Sequence, residues 1–166
     1  MSTKENLKAA FAGESQANRR YLAFAKMAEQ EGKPNIAKLF RAAAEAETVH
    51  AHNHLRVLGE IKSTQENLEA AVKGENYEHS DMYPKFIEEA KQEQETDAVR
   101  TFEHANEVEK IHENHFRKAI EAVQAGKDLE DQPVYVCPVC GNTFLGEKPD
   151  LCPICSTPGT RFMEMR

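Results

Sequence analysis

The sequence predicts an all-α four-helix bundle followed by a small metal-binding domain held by four cysteines. Three observations predict it: long amphipathic segments separated by Gly or Pro, inward-facing Glu and His within those segments, and two C-x-x-C pairs near the C-terminus. Composition changes near residue 133, because five of the seven prolines lie at or after it. We therefore predict a helical domain over residues 1–130 and a cysteine domain over residues 134–166.

Composition excludes several classes of protein. The 166-residue chain has a net charge of -7, and its Lys and Arg form no basic patch, so we expect no nucleic-acid partner. It contains no apolar run long enough to cross a bilayer and no apolar core near its start, so we expect neither a membrane segment nor a secretory signal. The expected protein is soluble and cytoplasmic, and in that compartment four cysteines favour a metal site over disulfides.

Capping and stop signals predict the helix boundaries. Ser2 and Ser63 are each followed three residues later by Glu, which makes a capping box. After Pro34, Asn35 is the expected N-cap of the second helix. The expected helices run from Ser2 to Gly32, from Asn35 to Gly59, from Ser63 onward, and from about Thr96 to Gly126.

An internal repeat relates the two halves of the helical domain. The matched residues are Gly13, Glu14, Tyr21, Phe24, Phe40, Glu47 and His50 in the first copy and Gly74, Glu75, Tyr83, Phe86, Phe102, Glu109 and His112 in the second. The spacing between the copies is larger by one from the tyrosine onward than at the Gly-Glu pair, so the second copy has one extra residue between Glu75 and Tyr83. Because Pro84 also lacks an N–H, we predict a π-bulge near residues 76–84.

Glu and His interrupt the apolar stripe of every predicted helix. These residues are Glu14, Glu47, His50, Glu75, Glu78, Glu109 and His112. One inward Glu or His alone would be interpreted as an ion-paired boundary residue or a hydrogen-bonded core histidine. Five buried carboxylates together need countercharge, which two divalent cations supply. The two Glu-x-x-His pairs place their side chains on one helix face, as in dimetal helical bundles.

Four motifs resemble those of the rubrerythrin family: Gly13-Glu14-Ser-Gln-Ala, Glu47-Thr-Val-His50, Gly74-Glu75-Asn-Tyr-Glu78 and Glu109-Lys-Ile-His112. The resemblance covers essentially the whole chain and implies a ferritin-like bundle that holds two irons as a diiron-oxo centre. The implied ligands are Glu47 and Glu109 as bridges, Glu14, Glu75 and Glu78 as terminal carboxylates, and His50 and His112 as nitrogen ligands.

The resemblance also implies roles beyond simple ligation. One iron would bind Glu78 when oxidised and His50 when reduced, and Glu78 has no counterpart in the first repeat. Tyr21 and Tyr83 resemble tyrosines whose hydroxyls orient the ligand glutamates, although both also fit as plain core residues.

The two cysteine pairs are Cys137-Pro-Val-Cys140 and Cys152-Pro-Ile-Cys155, separated by the segment 141–151. Four sulfurs favour tetrahedral zinc or iron, and spacing alone fits a zinc ribbon as well. Next to a dimetal bundle, the pairs resemble the rubredoxin-like domain of rubrerythrins, which implies one iron. Tyr135 and Phe144 are expected to shield it. Ser156 stands where such knuckles usually have glycine, which we expect to alter an N–H to sulfur hydrogen bond.

The resemblance implies a non-haem diiron peroxidase that reduces hydrogen peroxide to water in defence against oxidative stress, with electrons relayed by the cysteine-bound iron. The implied donor is a reduced-nicotinamide-linked reductase (an NADH-linked activity) or free rubredoxin. One alternative is a ferritin-like ferroxidase that handles or stores iron, against which the cysteine domain argues. Another is an electron carrier or zinc-ribbon interaction module, which leaves the seven inward ligands unexplained.

Five histidines lie outside the ligand pattern: His52, His54, His79, His104 and His115. We expect them to be solvated or structural, with His54 as the exception, because it lies one turn beyond His50.

The reach of the chain bears on how electrons would arrive. The fourth helix continues from Glu109 to Gly126, a length of about 25 Å, and the linker of residues 127–132 reaches about 20 Å. We therefore expect a head-to-tail homodimer in which electrons cross between subunits.

Overall fold

Helices make up most of the chain before residue 125 in the computed structural model, which describes residues 2–165. The chain divides into two compact units between Lys62 and Ser63. The first unit contains α1 (Thr3–Gln30) and α2 (Pro34–Leu58). The second contains α3 (Thr64–Tyr77), a π-helical segment (Glu78–Met82), α4 (Tyr83–Gln92), α5 (Thr96–Gln124), β1 (Val134–Val136), β2 (Thr143–Leu145), a 3-10 turn (Gly159–Arg161) and β3 (Met163–Met165).

The first unit is a helical hairpin whose boundaries follow its capping residues. Ser2 forms the predicted capping box with Glu5, and Gly59 ends α2 with a left-handed φ of 69°, so both predictions are confirmed. The prediction of Asn35 as N-cap is wrong. Lys33 is the N-cap and Pro34 occupies the first turn, where its fixed φ suits a helix and its missing N–H needs no partner.

The second unit begins with the other predicted capping box, between Ser63 and Glu66. Residues 64–92 remain helical throughout, and the predicted π-bulge is confirmed as the segment Glu78–Met82. Here the Tyr83 N–H reaches the Glu78 carbonyl, five residues back, which lets the helix absorb one extra residue. Pro84 follows directly, and it has no N–H that would close a regular turn.

Aromatic packing repeats in the two units. The triads are Tyr21, Phe24 and Phe40 in the first unit and Tyr83, Phe86 and Phe102 in the second. In both, the tyrosine ring centroid lies 6.3 Å from the Phe on its own helical segment and 6.2 Å from the Phe on the neighbouring helix. The two Phe rings are 5.6 Å apart in the first triad and 5.7 Å in the second. The repeat in the sequence is therefore a repeat in packing.

The strands of residues 134–165 form one antiparallel sheet in the order β2-β1-β3. Its interior is formed by Cys137, Cys152 and Phe162, and the rings of Phe144 and Phe162 stack with centroids 5.0 Å apart. The pairing of β1 with β3 and the stacked rings therefore join the start of this domain to its end.

Among residues 2–165, no helix combines the length and the apolar character that crossing a bilayer requires.

The small core predicts that Gly159 tolerates no side chain. A Cβ at this position would lie 2.2 Å from the Pro149 carbonyl oxygen, which belongs to the backbone and cannot rotate away. We expect Gly159→Ala to destabilise the cysteine domain by about 1–3 kcal/mol, as overpacking does. The measurement is thermal unfolding followed by thiolate-to-metal absorption. Thr160→Ala is the exposed neighbouring control, and equal melting of the two variants would contradict the packing argument.

Candidate metal centres

The first unit brings together Glu14 from α1 with Glu47 and His50 from α2. One potential ligand atom of each lies within 4.8 Å of the others, and Nδ1 of His50 is 3.0 Å from Oε2 of Glu47. A hydrogen bond between the two carboxyl groups raises the pKa of Glu14 and lowers the pKa of Glu47. His54 lies near this group as well. Its charge lowers the pKa of Glu14 and so offsets part of the rise.

The second unit repeats this arrangement with Glu75 from α3 and Glu109 and His112 from α5. Their ligand atoms also lie within 4.8 Å of one another. Nδ1 of His112 is 2.7 Å from Oε2 of Glu109 and 3.9 Å from Oε1 of Glu75. Burial raises the pKa of Glu75 to about 7, and the nearby charge of Glu109 adds to the rise. A proton or a cation relieves the repulsion between these carboxylates.

Both groups fit a transition-metal ion. Each offers two carboxylates and one imidazole, a donor set that suits iron in helical bundles. In both, Nδ1 of the histidine faces the carboxylates. Nε2 of His112 is buried and has no hydrogen-bond partner of normal geometry. Nδ1 is therefore the ring atom that lies in position to bind the same metal ion as the carboxylates.

Glu78 and Tyr83 flank the second group at the two ends of the π-helical segment. Glu78 lies outside the compact group, but its charge contributes to the raised pKa of both Glu75 and Tyr83. Burial and the charge of Glu109 raise the pKa of Glu78 itself. Burial is also the main cause of the raised pKa of Tyr83, followed by the charge of Glu109. Tyr83 is therefore close enough to these carboxylates for their charges to affect its pKa.

One charged network beside this group was not found from the sequence. Glu113 on α5 is 7% exposed and accepts hydrogen bonds from Asn76, His79 and Arg117. The hydrogen bond from His79 is the main cause that lowers the pKa of Glu113 to about 2. His79 was expected to be solvated or structural, and it is structural. The signal available in the sequence was a break in the repeat, since Ala51 stands at the position that matches Glu113.

The four cysteines form the third group, with their sulfurs all within 4.8 Å of one another. Sγ of Cys137 is 3.5 Å from that of Cys155, and Sγ of Cys140 is 3.5 Å from that of Cys152. Sulfurs bound at about 2.3 Å to a tetrahedral ion lie about 3.8 Å apart, so the spacing fits a metal. Burial raises the pKa of Cys140, and a bound cation would favour its thiolate instead.

The two cysteine turns share one backbone pattern. The N–H of Gly141 donates to the Cys137 carbonyl, and the N–H of Ser156 donates to the Cys152 carbonyl. Gly141 has a φ of 84° and Ser156 a φ of 59°, so serine adopts the left-handed conformation that glycine would provide. The substitution therefore preserves the turn.

Several side chains surround the cysteine group. Tyr135 and Phe144 pack against the buried Cys137 and Cys152, as predicted for residues that shield the centre. The hydroxyl oxygen of Thr157 lies 3.1 Å from Sγ of Cys155 and can donate to it. Such a hydrogen bond stabilises a thiolate.

Within the second unit, the cysteine domain lies against α5 of its own chain. His115 donates from Nε2 to the Thr143 carbonyl over 3.3 Å. The Gly141 carbonyl adds to the raised pKa of His112, of which the hydrogen bond to Glu109 is the main cause. The linker therefore lets the cysteine domain fold back onto α5 of its own chain. Residues 125–133 connect α5 to β1, and β2 carries the Thr143 carbonyl that His115 contacts.

Comparisons with known proteins agree with this arrangement. The family profile described as Rubrerythrin matches residues 5–120. Rubrerythrin-2 of Clostridium acetobutylicum is 40% identical over 96% of this chain and 95% of its own length. Nigerythrin of Nitratidesulfovibrio vulgaris is 38% identical over 97% of this chain and 85% of its own. The solved structure of nigerythrin in its fully reduced, all-ferrous state has a TM-score of 0.60 at 37% identity, covering 99% of this chain and 87% of that one.

These likenesses extend across both the helices and the cysteine domain. They confirm the predicted fold class, a ferritin-like helical domain followed by a rubredoxin-like four-cysteine domain. They also agree with the predicted cofactors, a diiron site and a metal held by four cysteines. The chain belongs to the rubrerythrin family.

Proposed function

We propose that this protein is a cytoplasmic non-haem diiron peroxidase that reduces hydrogen peroxide to water and so protects against oxidative stress. The observation that carries the proposal is the repeated Glu, Glu and His group, found once in each unit, in a chain that also holds a four-cysteine group. Peroxide takes up two electrons and two protons to give two waters. Two irons held by these groups would supply those two electrons.

We propose seven ligands for the two irons: Glu14, Glu47, His50, Glu75, Glu78, Glu109 and His112. Glu47 and Glu109 are the bridging carboxylates in this proposal. Each forms a hydrogen bond with the histidine three residues later, which orients both side chains together. Tyr83 lies near enough to three of the carboxylates to respond to their charges, and we propose that it orients them. Tyr21 has the matching place in the first repeat.

The cysteine-bound iron is proposed to return electrons one at a time through this chain's own backbone. Gly141 directly follows the ligand Cys140, and its carbonyl acts on the ring of His112. His112 faces the carboxylates with Nδ1, so one residue responds both to the cysteine turn and to the proposed iron ligands. This proximity supports a relay within one chain.

The original electron donor in this proposal is a reduced-nicotinamide-linked reductase, an NADH-linked system, acting directly or through free rubredoxin. The protein is proposed to work as a homodimer. The head-to-tail arrangement stays a prediction.

A spectroscopic experiment tests the whole proposal. The purified, iron-loaded protein should show thiolate-to-iron absorption that bleaches on reduction and returns when hydrogen peroxide is added without oxygen. Peroxide loss measured in the same cuvette should match the reoxidised iron. A colourless protein with zinc at the cysteines would remove the relay, and reoxidation by oxygen with no response to peroxide would favour an iron-oxidising protein.

The first variant tests the ligand assignment. Glu109→Ala removes a carboxylate proposed to serve both irons, so it should abolish peroxide turnover and strip iron from the helical domain, while the cysteine-bound metal remains. Iron content and the thiolate absorption measure both effects. Glu107→Ala on the same helix is the control, because Glu107 is exposed and pairs only with Lys110 among its described contacts. Two retained irons and full activity in Glu109→Ala would refute the assignment.

Iron binding should depend on pH through Glu75. Its pKa is raised from the ordinary 4.5 to about 7, so below pH 7 an incoming cation must displace a proton. The Glu75 proton should therefore make the affinity for ferrous iron rise by about tenfold per pH unit as pH increases toward 7, and His112, whose pKa is also raised, should add to the slope. Anaerobic titration at several pH values measures the slope. In Glu75→Gln the slope should be shallower, and an unchanged slope would contradict this origin.

Subunit mixing distinguishes a relay within one chain from one between chains. If Cys140 serves His112 of its own chain, a Cys140→Ser chain paired with a Glu109→Ala chain should not regain donor-linked peroxide reduction. Each chain then lacks one end of its route. Verified heterodimers of wild type with the double variant are the control and should remain active. Recovered activity in the first mixture would show transfer between subunits.

A further inference from the structure

We propose that Glu113 is a positioning residue that holds the π-helical segment in place and thereby sets the position of Glu78. This inference rests on the proposed function, because it treats Glu78 as an iron ligand. Glu113 itself is not in the ligand group. It acts on the site through the helix that carries Glu78.

The carboxylate of Glu113 reaches from α5 to both sides of Glu78. Its Oε2 accepts from Nδ2 of Asn76 at 3.2 Å and from Nε2 of His79 at 2.5 Å. Asn76 lies in the last turn of α3, two residues before Glu78, and His79 follows Glu78 directly. One oxygen atom therefore connects the residues that flank the first position of the π-helical segment.

The other oxygen is held by a cation on the same helix. Oε1 of Glu113 accepts from Nε of Arg117 at 2.7 Å and also from its Nη2. Two donors of one guanidinium on this single oxygen hold the oxygen in place and offset its charge. Because Glu113 is buried and both oxygens are used, the side chain has little freedom to move. It can therefore hold a backbone segment that lacks regular α-helical hydrogen bonds.

Comparison of the two repeats indicates what this network does. In the first repeat, Ala51 and Leu55 stand at the positions of Glu113 and Arg117. Ser15, which matches Asn76, donates to the Phe11 carbonyl of its own helix and does not reach across. This repeat has neither the extra residue nor a counterpart of Glu78. The charged network and the additional carboxylate thus occur in the same copy.

The network explains how an irregular helix can present a ligand accurately. A wide turn leaves its first residue less restrained than a regular α-helix would. Holding Asn76 and His79 together limits the directions that the intervening backbone can take. Glu78 can then change its ligation by rotating its side chain, while its backbone stays fixed.

A double-mutant cycle on the full-length, iron-loaded protein tests this role. Glu113→Gln keeps the shape but removes the charge, and it should lower the affinity for ferric iron by about tenfold, the range expected for groups that orient ligands. In a Glu78→Ala background the same change should have an effect of less than about twofold, because the residue it positions is gone. Hydrogen exchange of the amides of residues 78–83 should be faster in Glu113→Gln.

Controls keep the outcomes distinct. Glu107→Gln, an exposed residue on the same helix, should change none of these quantities. His79→Ala leaves Glu113 paired with Arg117 and should reproduce the effect, so it carries the test if Glu113→Gln does not fold. Equal losses of ferric affinity with and without Glu78, or unchanged exchange at residues 78–83, would overturn the proposal. Ferric affinity and exchange decide it even if wild-type protein fails to turn over peroxide, which would refute the proposed function alone.

Discussion

Repulsion between partly buried carboxylates is the constraint on which the rest of this structure depends. Each unit places two glutamates close enough for one to alter the pKa of the other. A helix face that carries such a pair loses apolar packing and needs positive charge in its place. Histidine Nδ1 atoms directed at the carboxylates meet part of this need, and metal cations would meet the rest. Stability of the helices and binding of metal are therefore coupled.

A single extra residue separates the chemistry of the two repeats. Their aromatic triads have nearly identical ring-centroid distances, so the packing around Tyr21 and Tyr83 has been kept. Between Glu75 and Tyr83 the insertion could have shifted every later side chain by about 100° around the helix. The π-helical segment absorbs it locally. The second repeat thereby gains the acidic residue Glu78 without losing the register of its core.

Local signals made much of this fold predictable. Capping boxes at Ser2 and Ser63, the stop at Gly59 and the wide turn before Pro84 each depend on a few neighbouring residues. Asn35 was wrongly predicted as a cap because a first-turn proline competes for that place. The Glu113 network could not be predicted in the same way, since it depends on contacts 34 and 37 residues apart in sequence. Contact between such distant residues is decided by tertiary packing.

The cysteine domain shows how little the reach of a linker says about where the chain returns. The length of α5 and of the linker limits how far the chain can extend, but it does not set the direction in which the chain returns. That direction is set by side-chain contacts such as the one between His115 and the Thr143 carbonyl. The return also brings the Gly141 carbonyl near enough to His112 to add to the raised pKa of that histidine, after the larger effect of its hydrogen bond to Glu109. Any change that shifts the cysteine turns would then also disturb the orientation of a proposed iron ligand.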